Sequence, residues 1–190
     1  EDFLRREKLP YRIIGGQKFY ERKEIKDILA YLKFIVNPED SISLFRIINT
    51  PARVIGKASQ DRISEIAKSE NISEWTVIRD ELLTGRVPKG LDDFRKIINR
   101  FMNDMEKVPV LFRLSAFVKS IVDITGYREN LMEENTPENN SRIDNIDELI
   151  NSVYDYEQTF SDAGPEQFIQ DISLYTSEQN PDQNTEDKKD

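Results

Sequence analysis

The sequence predicts a mainly α-helical domain of irregular multi-helix build, and three observations carry that prediction. Apolar residues recur at i, i+3, i+4 and i+7 in one segment after another, those segments stop at proline, glycine or asparagine, and a single short run, Tyr-Arg-Ile-Ile at 11–14, reads as a strand. At 190 residues with 37% apolar content, the chain is long enough for one domain with a substantial core. No apolar run approaches the roughly 20 residues needed to cross a bilayer, and no signal-peptide pattern opens the chain. Lacking cysteine and histidine, it has no disulfide, no thiolate chemistry and none of the usual zinc ligands. A cytoplasmic location is expected. The chain opens at Glu1 inside what reads as a helix, as expected of a piece of a larger protein.

Taken in order, residues 1–8 read as the end of a helix that Leu9-Pro10 breaks. The pair Gly15-Gly16 can serve as a tight turn or a hinge. After it, Ile25, Ile28, Leu29, Leu32, Ile35 and Val36 form one buried stripe of a long helix, with Lys23, Glu24, Lys26, Asp27 and Lys33 elsewhere. Asn37-Pro38 ends that helix. Asp40 or Ser41 can cap a short helix bearing Leu44, Phe45, Ile47 and Ile48, which Asn49-Thr50-Pro51 stops.

Residues 50–59, Thr-Pro-Ala-Arg-Val-Ile-Gly-Lys-Ala-Ser, place a hairpin between two helices with Gly56 immediately before the second. Such a hairpin exposes amides at a helix N-terminus, where unpaired N–H groups and the helix dipole favour an anion. Arg53 and Lys57 flank it; a plain helix–helix connection is the competing reading. The next helix carries Ile63, Ile66 and Ala67, and residues 71–73 end it and cap another bearing Trp75, Ile78, Leu82 and Leu83. Trp75, at helical spacing with Ile78 and Leu82, is expected in the core. Residues 84–90, Thr-Gly-Arg-Val-Pro-Lys-Gly, form a second basic glycine turn, in which Arg86 and Lys89 are candidate phosphate contacts.

The helix from Leu91 presents Phe94, Ile97, Ile98, Phe101, Met102 and Met105 as a core stripe. Beyond Val108-Pro109, a helix with Leu111, Leu114, Phe117, Val118, Ile121 and Val122 ends at Gly126. A short helix begins at Tyr127, residues 136–140 form a loop, and Ser141 can cap a helix bearing Ile143, Ile146, Leu149, Ile150, Val153 and Tyr154. Gly164-Pro165 starts a last helix with Phe168, Ile169 and Ile172; from Ser177 the polar, aperiodic composition predicts disorder.

Charge is distributed unevenly. Residues 1–60 carry 12 Lys and Arg against 8 Asp and Glu, residues 61–120 carry 11 against 10, and residues 121–190 carry 4 against 18, for a net charge of −9. The first two-thirds can therefore attract phosphate although the whole chain is acidic. No Gly-x-x-x-x-Gly-Lys-Ser/Thr or Gly-x-Gly-x-x-Gly loop is present to cradle a nucleotide, and no nucleophile–base pair or recognisable catalytic carboxylate pair is found.

The run from Tyr11-Arg-Ile-Ile-Gly-Gly16 through Phe19-Tyr-Glu-Arg-Lys-Glu-Ile-Lys-Asp27, Ala30-Tyr-Leu32 and Asn37-Pro-Glu-Asp40 resembles the segment entering the 2B subdomain of UvrD/PcrA/Rep-type superfamily 1 DNA helicases. The similarity continues through Arg46-Ile-Ile-Asn-Thr-Pro-Ala-Arg-Val-Ile-Gly56, Gly126-Tyr-Arg128 and Ser141-Arg-Ile-Asp-Asn-Ile-Asp-Glu-Leu149, and fades near the C-terminus. It implies a 2B-type helical subdomain over 15–176, preceded at 1–14 by the edge of a motor-domain segment and followed at 177–190 by a polar linker. It also implies that the hairpin is the helix-hairpin-helix-like turn with which these subdomains hold duplex DNA, usually written Gly-Ile-Gly. Here Val54 stands at the first glycine, and because a β-branched residue resists positive φ, the turn is expected to form differently or to hold phosphate less closely.

On this resemblance Thr50, Arg53, Ile55, Gly56, Lys57 and Ser59 contact DNA, and the domain swivels about Gly15 and Gly16 and the C-terminal return; Arg86 and Lys89 are candidates from the second basic turn alone, with an ordinary Gly/Pro-rich turn as the competing reading. The Arg142–Glu148 run matches a family signature expected to serve packing and docking. The intact parent would be an ATP-dependent 3′-to-5′ DNA helicase using ATP and Mg in motor domains outside these residues, with repair or transcription proteins as further partners, and this chain would bind no cofactor itself. The competing reading is a protein-interaction or autoinhibitory docking module that uses the acidic C-terminal third.

Overall fold

A computed structural model of the chain describes residues 16–108, 113–162 and 164–178. Among these the architecture is all helix, in agreement with the predicted class. The helices are α1 (Gly16–Tyr20), α2 (Lys23–Val36), α3 (Ser41–Ile47), α4 (Lys57–Glu70), α5 (Glu74–Arg79), α6 (Lys89–Met105), α7 (Leu114–Thr125), α8 (Tyr127–Glu133), α9 (Pro137–Thr159) and α10 (Pro165–Glu178). The predicted strand at 11–14, the preceding helix end and Gly15 lie outside the described residues. So do Leu111 and residues 179–190.

The centre of the fold is α2, packed against α3, α6, α7, α9 and α10. Instead of one buried stripe it buries residues all round: Tyr31, Leu32, Phe34 and Ile25 have no exposed surface, and Glu24 and Asp27, expected away from the core, are 4% and 2% exposed. Each carboxylate is satisfied by a neighbouring segment. The Tyr127 hydroxyl donates to Asp27 Oδ2 at 2.7 Å, and Arg46 pairs with Asp27 Oδ1 at 2.7 Å. Asn145 Nδ2 donates to Glu24 Oε1 at 2.6 Å, and Arg22 donates to Asn145 in turn. Periodicity could not show this burial, because paired acids are written in the sequence with the same letters as solvated ones. A third buried acid, Glu157 of α9, accepts from the Ser115 amide and hydroxyl at 3.0 Å each, so a carboxylate sits at the N-terminus of α7 where orphan amides and the helix dipole favour it.

Boundaries follow local chemistry. Asp40 accepts from the Ser43 amide at 3.0 Å and starts α3; Ser73 accepts from the Thr76 amide at 3.2 Å and starts α5, after Asn71 has closed α4 in the left-handed conformation. Two expectations fail here. The helix bearing Trp75 stops at Arg79, and Glu81 takes φ +57°, so Leu82 lies beyond the helix and is 39% exposed while Leu83 turns inward. Residues 137–140 are not loop but the first turn of α9: Thr136 caps it, accepting from the Asn139 amide at 3.1 Å, and Pro137 occupies the first helical position, where its missing N–H costs nothing. Trp75 is buried as expected, edge-on to Phe34 with ring centroids 5.6 Å apart. The Arg142–Glu148 run ties α9 to its neighbours through Asn145 with Glu24, Asp147 with Arg128, and fully buried Ile146.

Two outcomes check this account. Asp27→Ala strands the Tyr127 hydroxyl and Arg46, a third of which is exposed, and should cost about 3 kcal/mol in urea denaturation; Glu65→Ala, on an exposed face of α4, should cost less than about 0.5 kcal/mol. The second concerns alkaline pH. Burial pushes the Tyr31 hydroxyl up to about 12, with the neighbouring Arg53 opposing, and burial raises Tyr127 still further, with Asp27 adding to it. In the unfolded chain both phenols ionise near pH 10. The folded state therefore holds more protons above that pH, and stability that is full below pH 10 should fall as the pH rises from 10 toward 12. Tyr127→Phe should be less stable than the parent at pH 8 yet lose less between pH 9 and pH 11; equal losses would contradict the assignment.

Candidate nucleic-acid interface

The hairpin at 49–56 is built from the core outward. Tyr31, on α2, donates its hydroxyl to the Thr50 carbonyl at 2.5 Å and accepts from Arg53 Nη2 at 2.7 Å. Arg53 Nη1 donates to the Ile47 and Pro51 carbonyls at 3.1 Å each, and the guanidinium carbon lies 5.5 Å from the centre of the Phe94 ring on α6. Arg53 thus faces the protein. Four contacts to carbonyls, a phenol and a ring make it the bolt that fastens the turn to the core.

Asn49 does the equivalent work for the backbone. Its Oδ1 accepts from the amides of Arg53 at 2.8 Å and Ile55 at 3.1 Å, bracketing Val54 on both sides. Ile55 is fully buried, and Gln60 Nε2 donates to its carbonyl at 3.2 Å. Held in this way, Val54 adopts φ +60°, the left-handed conformation that was expected to be refused, and its side chain is 90% exposed. The clamp overcomes a strain of about 1–3 kcal/mol. Asn49 is legible as a turn-former, since asparagine side chains commonly accept backbone amides two to four residues away.

Gly56 then starts α4 at φ −75°, with nothing within 4 Å of where a side chain would begin. Neither backbone nor neighbours require glycine there. Helix geometry leaves the amides of Lys57 and Ala58 without an intrahelical acceptor, while the Ser59 amide turns back to the Gly56 carbonyl at 3.0 Å. Lys57 is exposed and pairs with Asp61 at 2.8 Å. Such a solvated pair is worth under about 1 kcal/mol, so a phosphate can compete for the lysine.

The structure brings the second basic turn against the first. A Cβ on Gly90 would lie 2.1 Å from the Arg53 carbonyl oxygen, so only glycine allows the N-terminus of α6 to seat on the hairpin. Arg62, one turn into α4, donates to the carbonyls of Thr84 and Arg86, the latter at 3.2 Å, and holds the 84–90 turn from the other side. Lys57, Arg86 and Lys89 are exposed around this junction. The sequence gives little warning of Arg62, because its role depends on a partner more than 20 residues away. Of the two glycines expected to act as a hinge, Gly16 begins α1 and Gly15 lies outside the described residues.

Other concavities offer less. A cleft of about 900 Å³ lies at the opposite end of α6, lined by Met105, Phe160, Pro165 and Gln170 among others. Among the described residues, no group of His, Cys, Asp or Glu could hold a metal ion, and no helix is long and apolar enough to cross a membrane.

Comparison with known proteins places the chain in a family. Residues 1–189 match the model of the UvrD-like helicase C-terminal domain. The chain is 36% identical over 190 residues to the ATP-dependent DNA helicase PcrA of Bacillus subtilis, covering 98% of this chain and 25% of that protein. It is 36% identical over 179 residues to the PcrA of Staphylococcus aureus strain Mu50, covering 92% and 24%. It is 38% identical over 149 residues to a probable DNA helicase II homolog of Rickettsia conorii, covering 78% and 23%. The chain therefore spans about a quarter of the length of these curated relatives. It belongs to the UvrD-like helicase C-terminal domain family.

Proposed function

We propose that residues 15–176 are the 2B subdomain of an ATP-dependent 3′-to-5′ DNA helicase and grip the duplex ahead of the unwinding junction. What supports the reading is one juxtaposition: two glycine turns from separate parts of the chain are packed together, so that the N-termini of α4 and α6 and the cations Lys57, Arg86 and Lys89 share one surface. Oriented amides and cations are what a phosphate backbone requires, and such contacts are independent of sequence and sensitive to salt. Arg53 has a positioning role in this scheme, with Thr50, Ile55 and Ser59 shaping the turn. ATP and Mg would be bound by motor domains beyond these residues, and residues 1–14 would belong to their edge. Swivelling about Gly15 and Gly16 would set whether the grip restrains or permits unwinding.

A second reading, an interaction or autoinhibitory docking module, draws on the acidic exposed residues of α8 and α9, among them Glu129, Glu133 and Asp144. The two readings differ in a titration of the 190-residue chain with a short random-sequence duplex and its single strand, followed by fluorescence anisotropy at several salt concentrations. The grip predicts salt-dependent duplex binding, with Lys57→Ala and Lys89→Ala each flattening the log–log salt slope by about one unit. Gly56→Ala should weaken binding by roughly ten-fold or more by obstructing the amides, while shifting stability by less than about 1 kcal/mol. Arg53→Ala should instead lower the unfolding midpoint. Absence of duplex binding at low salt would move the function to the docking reading.

A further inference from the structure

We infer that the cleft at the far end of α6 is a docking site for a cationic segment of a partner protein, a short run of arginine or lysine carrying an apolar side chain that inserts between α6, α9 and α10. The inference does not rest on the duplex-grip reading. The cleft, about 900 Å³, is lined by residues at the C-termini of α6 and α9 and at the start of α10. Helix α6 has 17 residues and is about 25 Å long, so the cleft is well separated from the paired turns at the other end. Its floor is apolar. Met105, Val108 and Phe160 are only partly buried although packed against the core, and Pro165 lines the cleft with them. The Phe160 ring is held against Tyr156, with centroids 4.9 Å apart.

Charge sets the kind of partner. Two helices, α6 and α9, end at the cleft, and neither has a lysine or arginine in its last turn. The negative ends of both dipoles and their orphan carbonyls therefore lack the basic side chains that commonly satisfy them. The positive end of α10 is offset by Glu166 in its first turn. Glu106, Asp162 and Glu166 stand exposed around the cleft, and among the described residues none of the three pairs with a lysine or arginine; Lys107, next to Glu106, is engaged by Asp104 at 2.7 Å. A phosphate is repelled here. A guanidinium or ammonium is drawn in, where carbonyls, carboxylates and the Phe160 ring can all receive it. A small polyamine would use the charge but leave the apolar floor empty. A peptide with cations around an apolar anchor uses both.

The probe is a fluorescein-labelled peptide of about twelve residues alternating arginine with leucine, titrated with the 190-residue chain and followed by anisotropy; a second peptide has serine in place of leucine. The first should bind with a Kd in the range of about 1–100 μM at moderate salt, and the second roughly ten-fold more weakly. Neutralising the rim with Glu106→Gln, Asp162→Asn and Glu166→Gln should weaken the first peptide by roughly ten-fold or more. Glu129→Gln, Glu133→Gln and Asp144→Asn remove the same charge from α8 and α9 and should leave its affinity within about two-fold. Gly164 lines the cleft, and nothing lies within 4 Å of where its side chain would begin. Gly164→Leu should therefore obstruct the peptide by roughly five-fold or more while moving the unfolding midpoint by less than about 4 °C. Equal binding of the two peptides, equal losses from the two neutralised triples, or full affinity in Gly164→Leu would show attraction to the acidic surface at large and overturn the cleft as the site. Failure of the parent to bind the first peptide at low salt would overturn it too, and none of these outcomes touches the duplex reading.

Discussion

The hydrogen bonds between Tyr31 and the 49–56 hairpin are the constraint on which the candidate interface depends. Helix α2 packs against α1, α3, α6, α7, α9 and α10 and cannot shift without disturbing most of the core. A phenol on that helix therefore gives the turn a fixed reference: it donates to Thr50 and receives Arg53, which reaches on to Ile47, Pro51 and the Phe94 ring. Gly90 then lets α6 lie on the Arg53 carbonyl, and Arg62 secures the second turn. Each step is a directional contact, so the rigidity of the core is carried to two surface turns. Interfaces that hold a ligand in one register need support of this kind.

The polar interior has the same logic. Asp27, Glu24 and Glu157 are all almost fully buried, and each accepts hydrogen bonds from a different helix or turn. A buried ion pair contributes little net stability over an apolar pair of the same shape, but an unpaired buried charge is costly, so these acids select one packing among several. They fix how α2, α7, α8 and α9 sit together. That precision reaches the interface because Tyr31 lies one helical turn from Asp27.

Much of the fold was legible in the sequence, and the exceptions have identifiable causes. Apolar spacing found the core stripes of α6 and α7, and the caps Asp40, Ser73 and Asn71 were signalled by residue type. Thr136-Pro137 is also a readable helix start, an N-cap threonine before a first-turn proline, but the asparagines that follow are poor helix formers and weaken the signal. The early end of α5 had no strong breaker to announce it. At the interface, the hairpin and the second turn were visible as glycine-bearing basic segments, yet their contact was not, since no local pattern records that Gly90 meets Arg53. Arg53 looked like a phosphate ligand because it is basic and sits in a turn; its inward direction is set by carbonyls that only the fold assembles. Val54 reversed an expectation of another kind: a local conformational preference yielded to a clamp built from Asn49 and Ile55.

Charge separation completes the picture, with cations gathered at the paired turns and acids concentrated on the C-terminal helices, a distribution that would orient the domain toward a polyanion. The most direct test is amide chemical-shift mapping of the isotopically labelled chain during titration with a short duplex. The largest shifts should fall together on residues 54–59 and 86–91, saturating at one ratio as a single surface. Shifts confined to one turn, or centred on α8 and α9, would contradict the claim that the core assembles both turns into one duplex-binding face.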